Sequence, residues 1–248
     1  MSPVTVVNSS LTTEISDRYR RVLDRIAAAA ISRQRDPAQI RLVVVSKGQP
    51  LERVRAVIQA GARDLGENYV EDAIERVQSL SSEIKLTWHM IGHVQSRKSR
   101  LVCEYFDWVH SVDSLKLAQR LDRFAGEMQK QLPVLLEFNV SGEETKFGFP
   151  AWQEERWGEL LSDLDGIFQL NNLRVLGLMT IAPYNPDAEA ARPYFQRLAR
   201  LRSYLNSQFP RADLQELSMG MSLDFEVAVQ EGATIVRIGE AILGIRPT

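Results

Sequence analysis

The chain has 248 residues, 44% of them hydrophobic and 25% charged, with 30 Lys and Arg against 32 Asp and Glu and a formal net charge of −2. That composition excludes a disordered, collagen-like or coiled-coil chain, and a dedicated nucleic-acid or membrane-surface binder would be more basic. The one cysteine, Cys103, rules out an internal disulfide and any multi-cysteine metal site.

Met1 to Ser10 is rich in Ser, Thr and Asn and reads as a flexible tail over residues 1–10, with the folded unit over residues 11–248. Leu11 to Gln34 carries Ile15, Tyr19, Val22, Leu23 and Ile26 at helical spacing and predicts an opening helix. Leu42 to Ser46 is a β-branched run of buried-strand length that ends at Lys47. Pro50 stands where a helix would begin, and Gly61 where it would end. A second strand is expected over Ala62 to Leu65. A helix carrying Val70, Ala73, Ile74 and Val77 follows, then a strand over Leu86 to Ile91.

The alternation continues. Ser96 is placed to cap a helix over Arg97 to Cys103, and Phe106 to His110 reads as a strand. Asp113 and Ser114 precede a helix through Lys130, and Pro133 to Val140 is a strand followed by a polar loop to Phe149. A Trp-bearing helix is expected over Ala151 to Leu164, a strand over Leu173 to Thr180, and a long helix over Pro186 to Gln208. Asp213 to Ser218 and Thr234 to Ile238 are the last two strands, with a helix reaching Gln230 between them.

Eight strands, each followed by a helix or by the end of the chain, argue for parallel pairing with helical crossovers. Eight units in ~210 residues fit a closed (β/α)8 barrel preceded by an extra N-terminal helix. An open doubly wound sheet is the alternative, but no strand runs into a Gly-x-Gly-x-x-Gly turn. Met1 to Leu11 has no Lys or Arg and no long apolar core, and nothing approaches the ~20 apolar residues of a membrane span. The expected setting is cytoplasmic.

Active residues of such barrels project from the C-terminal ends of the strands. Lys47 ends the most hydrophobic strand of the chain. A lysine there either snorkels from the sheet edge or faces an apolar mouth, where desolvation disfavours the ammonium and leaves a better nucleophile. After the seventh strand, Ser218-Met219-Gly220-Met221-Ser222 opens a helix that Ser222 could cap. After the eighth come Arg237, Ile238 and Gly239. Loops after strands seven and eight are the customary anion site of these barrels. Strands one and eight are neighbours in a closed barrel, so Lys47 and Arg237 should face one anionic ligand.

Other residues read more plainly. His89 in a strand and His93 beyond a glycine share no helical face, so no metal site is expected. Arg97, Lys98 and Arg100 read as a solvated helix face, Trp152 and Trp157 as packing residues, and Cys103 as a small core residue.

Seven segments carry a resemblance: VVVSKGQP at 43–50, GARDLGENYVEDA at 61–73, WHMIGHVQSRKSR at 88–100, HSVDSLKLAQRL at 110–121, NVSGEETKFGF at 139–149, LRVLGLMTIAP at 173–183 and LSMGMSLDFEVAVQEGATIVRIGEAILG at 217–244. Through them the chain resembles the YggS/PROSC (PLPBP) family of pyridoxal-phosphate homeostasis proteins, cyanobacterial members included. The resemblance implies one barrel similar to the N-terminal domain of alanine racemase. It implies pyridoxal 5′-phosphate held as a Schiff base on Lys47, with Ser218, Gly220, Met221, Ser222 and Gly239 around the phosphate. Arg237 would face the pyridine nitrogen or the phosphate, and Asn68, Met179 and Thr180 would neighbour the ring. It implies a monomeric cofactor carrier without robust catalysis, serving amino- and keto-acid balance, with pyridoxal-phosphate-dependent apoenzymes as candidate recipients. No metal, nucleic acid or membrane is expected. In alanine racemase the second acid/base comes from another domain, and the chain ending at Thr248 is expected to lack one. The alternatives are an amino-acid racemase-type enzyme using Lys47 as a base, and an anion-binding barrel without a cofactor.

Overall fold

The computed structural model describes residues 9–80 and 84–246. Its strands are β1 Arg41–Val45, β2 Asp64–Glu67, β3 Thr87–Met90, β4 Trp108–Val112, β5 Leu132–Asn139, β6 Phe149–Pro150, β7 Leu173–Met179, β8 Glu216–Ser218 and β9 Ile235–Ile238. All pairings are parallel. The ladder runs β4-β3-β2-β1-β9-β8-β7-β5, and β4 pairs with β5, which closes an eight-stranded barrel. The two-residue β6 lies outside that ring, beside β5. The closed barrel is the fold expected from the alternation, and the open sheet is excluded.

The helices are α1 Ser9–Ile31, α2 Leu51–Gln59, α3 Val70–Leu80, α4 Ser99–Tyr105, α5 Leu115–Glu127, α6 Leu161–Phe168, α7 Arg192–Gln208, α8 Phe225–Gln230 and α9 Glu240–Leu243. Of the tail expected over residues 1–10, residues 1–8 lie outside the described residues, and Ser9 and Ser10 already belong to α1. Among the described residues no helix is long and apolar enough to cross a membrane.

The core has two parts. Val44, Leu136, Leu178 and Val236 belong to a large cluster shared with the helices. Val43, Leu135, Met179 and Ile235 form a separate cluster drawn from β1, β5, β7 and β9. Residues of four strands around a closed ring meet only in its lumen, so alternate side chains fill the barrel axis while their neighbours hold the helices.

Element boundaries depart from the sequence pattern where side chains or glycines intervene. β2 starts two residues late because Gly61, at φ 114°, and Ala62 close α2 by donating to Ile58 O and Val57 O at 3.0 and 3.1 Å. β8 starts late because Asp213 takes φ 49° and the Asn206 side chain holds both backbone groups of Leu214. The helix expected at Ala151 is a 3-10 turn over Glu154–Leu160 that leads into α6, and Gln153 gives it no side-chain cap. Ser96 is no cap either, for it opens a 3-10 turn ahead of α4. The segment expected as loop contains β6 because Gly148, at φ 107°, lets it lie against β5; a Cβ there would sit 2.7 Å from Glu137 O.

One close approach fixes the register that carries the site. Leu135 of β5 pairs with Gly177 one residue after Val134 pairs with Val175, so Leu176 is the extra residue of a bulge. A Cβ on Gly177 would lie 2.0 Å from Glu216 O in β8. Gly177→Ala is therefore expected to cost about 3 kcal/mol, the upper part of the usual overpacking range. The check is a urea titration in which the midpoint falls and the slope does not change.

Candidate functional site

The site is built from the first turn after β1. Ser46 to Gln49 form that turn, with Gln49 N donating to Ser46 O at 3.0 Å and Gly48 at φ 65°. Arg76 of α3 clamps it, donating to the carbonyls of Ser46 and Gln49 and pairing with Glu67 at the end of β2. Ser46 Oγ also donates to Glu67 Oε1 at 2.6 Å. Burial pushes the Glu67 carboxyl up, and its bonds to Ser46 and Arg76 oppose that. On the other side Gln49 Nε2 donates to Gly244 O and Arg53 Nη1 to Leu243 O. Lys47 thus projects from a backbone tied to both neighbouring βα units. It is half-buried, its Nζ lies 4.8 Å from the centroid of the Tyr69 ring, and among the described residues no carboxylate pairs with it.

Lys47 opens into a cavity of about 260 Å³. Met221, Ser222, Arg237 and Gly239 line the same cavity, so five of the expected site residues come together there. Asp224 and Tyr184 also line it, and neither was singled out in the sequence. Asp224 is recognisable only in three dimensions: its Oδ1 accepts from Met221 N at 2.6 Å and shapes the loop. Burial pushes its carboxyl up.

Ser222 does not cap α8 as the sequence suggested. Its Oγ accepts from Ala241 N at 3.3 Å, in the first turn of α9, which frees its own proton for an acceptor in the cavity. Among the described residues, the amides of Ser222, Leu223, Gly239 and Glu240 donate to no other group. Gly239 is needed for close approach, since a Cβ there would meet Val45 O at 3.0 Å. This end of the cavity is rich in donors.

Arg237 stands on β9 directly beside Val43 of β1. It is 3% exposed, and its Nη1 and Nη2 donate to Ser218 Oγ at 2.7 Å and Thr180 O at 2.9 Å. Burial lowers its pKa to about 10, against the pull of Asp224 and Glu137. It remains a cation at neutral pH.

Five expected residues do not line this cavity. Ser218 and Thr180 are buried beneath it as the acceptors for Arg237. Met179 packs in the barrel lumen. Gly220 shapes the loop: it takes φ 93°, a Cβ there would overlap Ala228 at 2.5 Å, and its carbonyl accepts from Arg237 N. Asn68 lines a separate cavity of about 360 Å³ together with Tyr69, His93, Glu137 and Phe147.

The remaining residues singled out in the sequence lie apart from the Lys47 cavity. His89 and His93 have different partners, Asp64 and Asp113, and among the described residues no cluster could hold a metal. Lys98 and Arg100 form ion pairs with Glu71 and Glu127. Trp157 and Cys103 are buried packing residues, while Trp152 is 39% exposed and lies over Gly142.

The model of the alanine racemase N-terminal domain matches residues 20–247. A Pseudomonas aeruginosa pyridoxal phosphate homeostasis protein is 42% identical over 232 residues, covering 94% of this chain and 96% of its own. The Escherichia coli K12 protein of the same name is 37% identical, with 94% and 97% covered. The chain belongs to the pyridoxal phosphate homeostasis protein family. PipY of Synechococcus elongatus, solved with pyridoxal phosphate bound, has a TM-score of 0.80 at 36% identity, covering 93% of this chain and 100% of that one. Alanine racemase of Clostridium difficile shares the fold, with a TM-score of 0.66 at 17% identity over 94% of this chain and 58% of that one.

One further carboxyl, close enough to Arg237 to feel its charge, is shifted by burial. Glu137, at the end of β5, is 6% exposed and its Oε2 has no hydrogen-bond partner. Burial and the nearby Asp113 raise its pKa from 4.5 to about 7, and Arg237 opposes the shift. A carboxyl that holds its proton more tightly folded than unfolded loses stability as pH rises. The expected loss runs from about pH 4.5 through about pH 7 and levels off above. Glu137→Gln should remove that component and be more stable than the wild type at alkaline pH. The difference between their urea midpoints, followed against pH, checks it.

Proposed function

We propose that this chain binds pyridoxal 5′-phosphate in the cavity between β1, β8 and β9 and serves the cofactor's homeostasis as a carrier, not as an enzyme with turnover. The observation that carries the reading is one cavity with, among the described residues, an amine paired to no carboxylate at one side and four unbonded backbone amides at the other. That donor set fits the group. Ser222, Gly239 and the amides of Leu223 and Glu240 would hold the phosphate. Lys47 would attach the aldehyde carbon, and Tyr69 would support the lysine stem. Arg237 would face an acceptor atom of the ring or of the phosphate. The relatives named for pyridoxal phosphate homeostasis and the cofactor-bound PipY structure support the same reading.

When bound, the cofactor supplies an aldehyde that condenses reversibly with primary amines. The protein's residues do the rest. Arg76 and Glu67 fix the turn that aims Lys47. The amides and Ser222 anchor the anion without a structural charge of their own. Ser218 and the Thr180 carbonyl hold the Arg237 guanidinium in place. Recipient apoenzymes, a monomeric state and a cytoplasmic location are part of the proposal.

The test of the reading is borohydride trapping after incubation with pyridoxal phosphate. Peptide mass analysis should place the reduced pyridoxyl group on Lys47, and Lys47→Ala should take up none. Incorporation elsewhere, or none in the wild type, overturns the reading. A deuterium-exchange assay on a panel of amino acids should show no turnover near ~1 s⁻¹, the low end of ordinary enzymes. Contacts can be ranked as well. Arg237→Gln is expected to weaken cofactor binding by ~10–150-fold, as for a charge-assisted bond. Ser222→Ala should cost about tenfold or less, because the amides remain. Titration of the visible cofactor absorption measures both.

A further inference from the structure

A chain of hydrogen bonds crosses the barrel lumen from the site to the opposite rim. Arg237 Nη1 meets Ser218 Oγ at 2.7 Å, and Ser218 Oγ meets His110 Nδ1 at 2.9 Å. His110 Nε2 lies 3.0 Å from His89 Nδ1, and His89 Nε2 lies 2.9 Å from Asp64 Oδ1. Ser218, His110 and His89 are completely buried. Asp64 is the first residue of β2, and its side chain is 25% exposed at the rim away from Lys47. There the same oxygen is 3.8 Å from Arg41 Nε.

The two ends determine every proton between them. A carboxylate only accepts, so His89 carries its proton on Nε2. A neutral His89 then accepts at Nδ1, so His110 carries its proton on Nε2. A neutral His110 accepts at Nδ1, so the Ser218 hydroxyl donates to it. A guanidinium only donates, so the Ser218 lone pair is turned to Arg237. Burial pushes both imidazoles towards the neutral form. The reverse order would need an imidazolium or a protonated Asp64. Trp108 stacks on His89 at 5.7 Å between ring centroids and holds that ring's plane.

We propose that His110 is a positioning residue for Arg237: with its tautomer set by His89 and Asp64, it keeps the Ser218 hydroxyl pointed away from the guanidinium and so locks the arginine that faces the bound cofactor. The relay explains why Ser218 lies beneath the cavity and not in it. It also makes Asp64, at the far end of the strands, part of the cofactor site. The inference rests on the functional reading above.

The test has two arms. The chain has three histidines, so ring-nitrogen NMR of the protein without cofactor can resolve each tautomer. Both His89 and His110 should be neutral with the proton on Nε2. Asp64→Asn, nearly isosteric and at a partly exposed position, offers His89 a donor or an acceptor, and should leave both rings mixed. In the second arm the pyridoxal phosphate affinity of Asp64→Asn should fall about tenfold, the worth of one bond to a charged group. His110→Leu should lose as much. His110→Gln, whose amide accepts towards Ser218 and donates towards His89, should stay within about threefold of the wild type. A proton on Nδ1 of either wild-type ring overturns the proposal. So does Asp64→Asn mixing the tautomers with affinity unchanged, or equal losses in His110→Leu and His110→Gln. Failure of the wild type to take up cofactor would instead strike the functional reading, and the NMR arm would still decide the direction of the relay.

Discussion

A guanidinium with almost no water around it must be given acceptors by the protein, and the mouth of this barrel is organised by that requirement. Arg237 cannot lose its proton cheaply, and burial of an unpaired charge costs several kcal/mol. Among the described residues no carboxylate bonds it directly. Instead β8 supplies a hydroxyl and the end of β7 a carbonyl, with Asp224 and Glu137 close enough to favour the charge. Those acceptors exist only if β7 and β8 keep their register, which the bulge at Leu176 and the absent Cβ of Gly177 secure. The Gly220 turn serves the same end from the backbone side, its carbonyl receiving the Arg237 amide. Packing, register and site are therefore one arrangement.

The lysine side of the cavity uses a different device. Lys47 sits on a turn, where a side chain would ordinarily be free to wander. The turn is immobilised by charge: Arg76 reaches from α3 to two carbonyls and a fully buried carboxylate. Truncating such an arginine would strand Glu67 without its counter-charge, so the clamp is costly to remove and holds the amine at a fixed place. The phosphate side is held by close approach of backbone, with Gly239 against Val45 and Ser222 tied to α9. Each third of the site is thus fixed by a different kind of force, and each by residues outside the cavity itself.

What the sequence disclosed follows from this. Lys47 was legible because four apolar residues precede it and a proline follows, both local signals. Met221, Ser222, Arg237 and Gly239 were legible because loops after the last two strands face the same mouth as the first. Ser222 was misassigned to α8 because a capping reading looks to the nearest helix, whereas its partner Ala241 is 19 residues on. Ser218 and Thr180 were implied as ligand neighbours by the resemblance alone, since a residue at a strand's end gives no local sign of whether it points up into the mouth or down onto a neighbour. His89 and His110 carried no sign of each other in the sequence, for their mutual bond spans 21 residues and the bond to Ser218 spans 108. Pairing across a barrel is a property of closure, and no local pattern encodes it.

The character of Arg237 also bears on why such a site would hold a cofactor more readily than exploit it. A guanidinium offers only donors, so any ligand atom that meets it must present a lone pair. If that atom is a ring nitrogen, the nitrogen stays unprotonated, and the ring withdraws electrons less strongly than one paired with a carboxylate. If it is a phosphate oxygen, the arginine adds retention and leaves the ring untouched. The phosphate contact strengthens binding of the ground state and does not grow with charge developed during bond breaking at an amino acid, and the ring contact takes up less of that charge than a protonated nitrogen would. Uniform binding of this kind raises affinity without raising turnover. The fixed proton order behind Ser218 points the same way, since it turns a lone pair permanently to the arginine and leaves the guanidinium no second arrangement to adopt during a reaction.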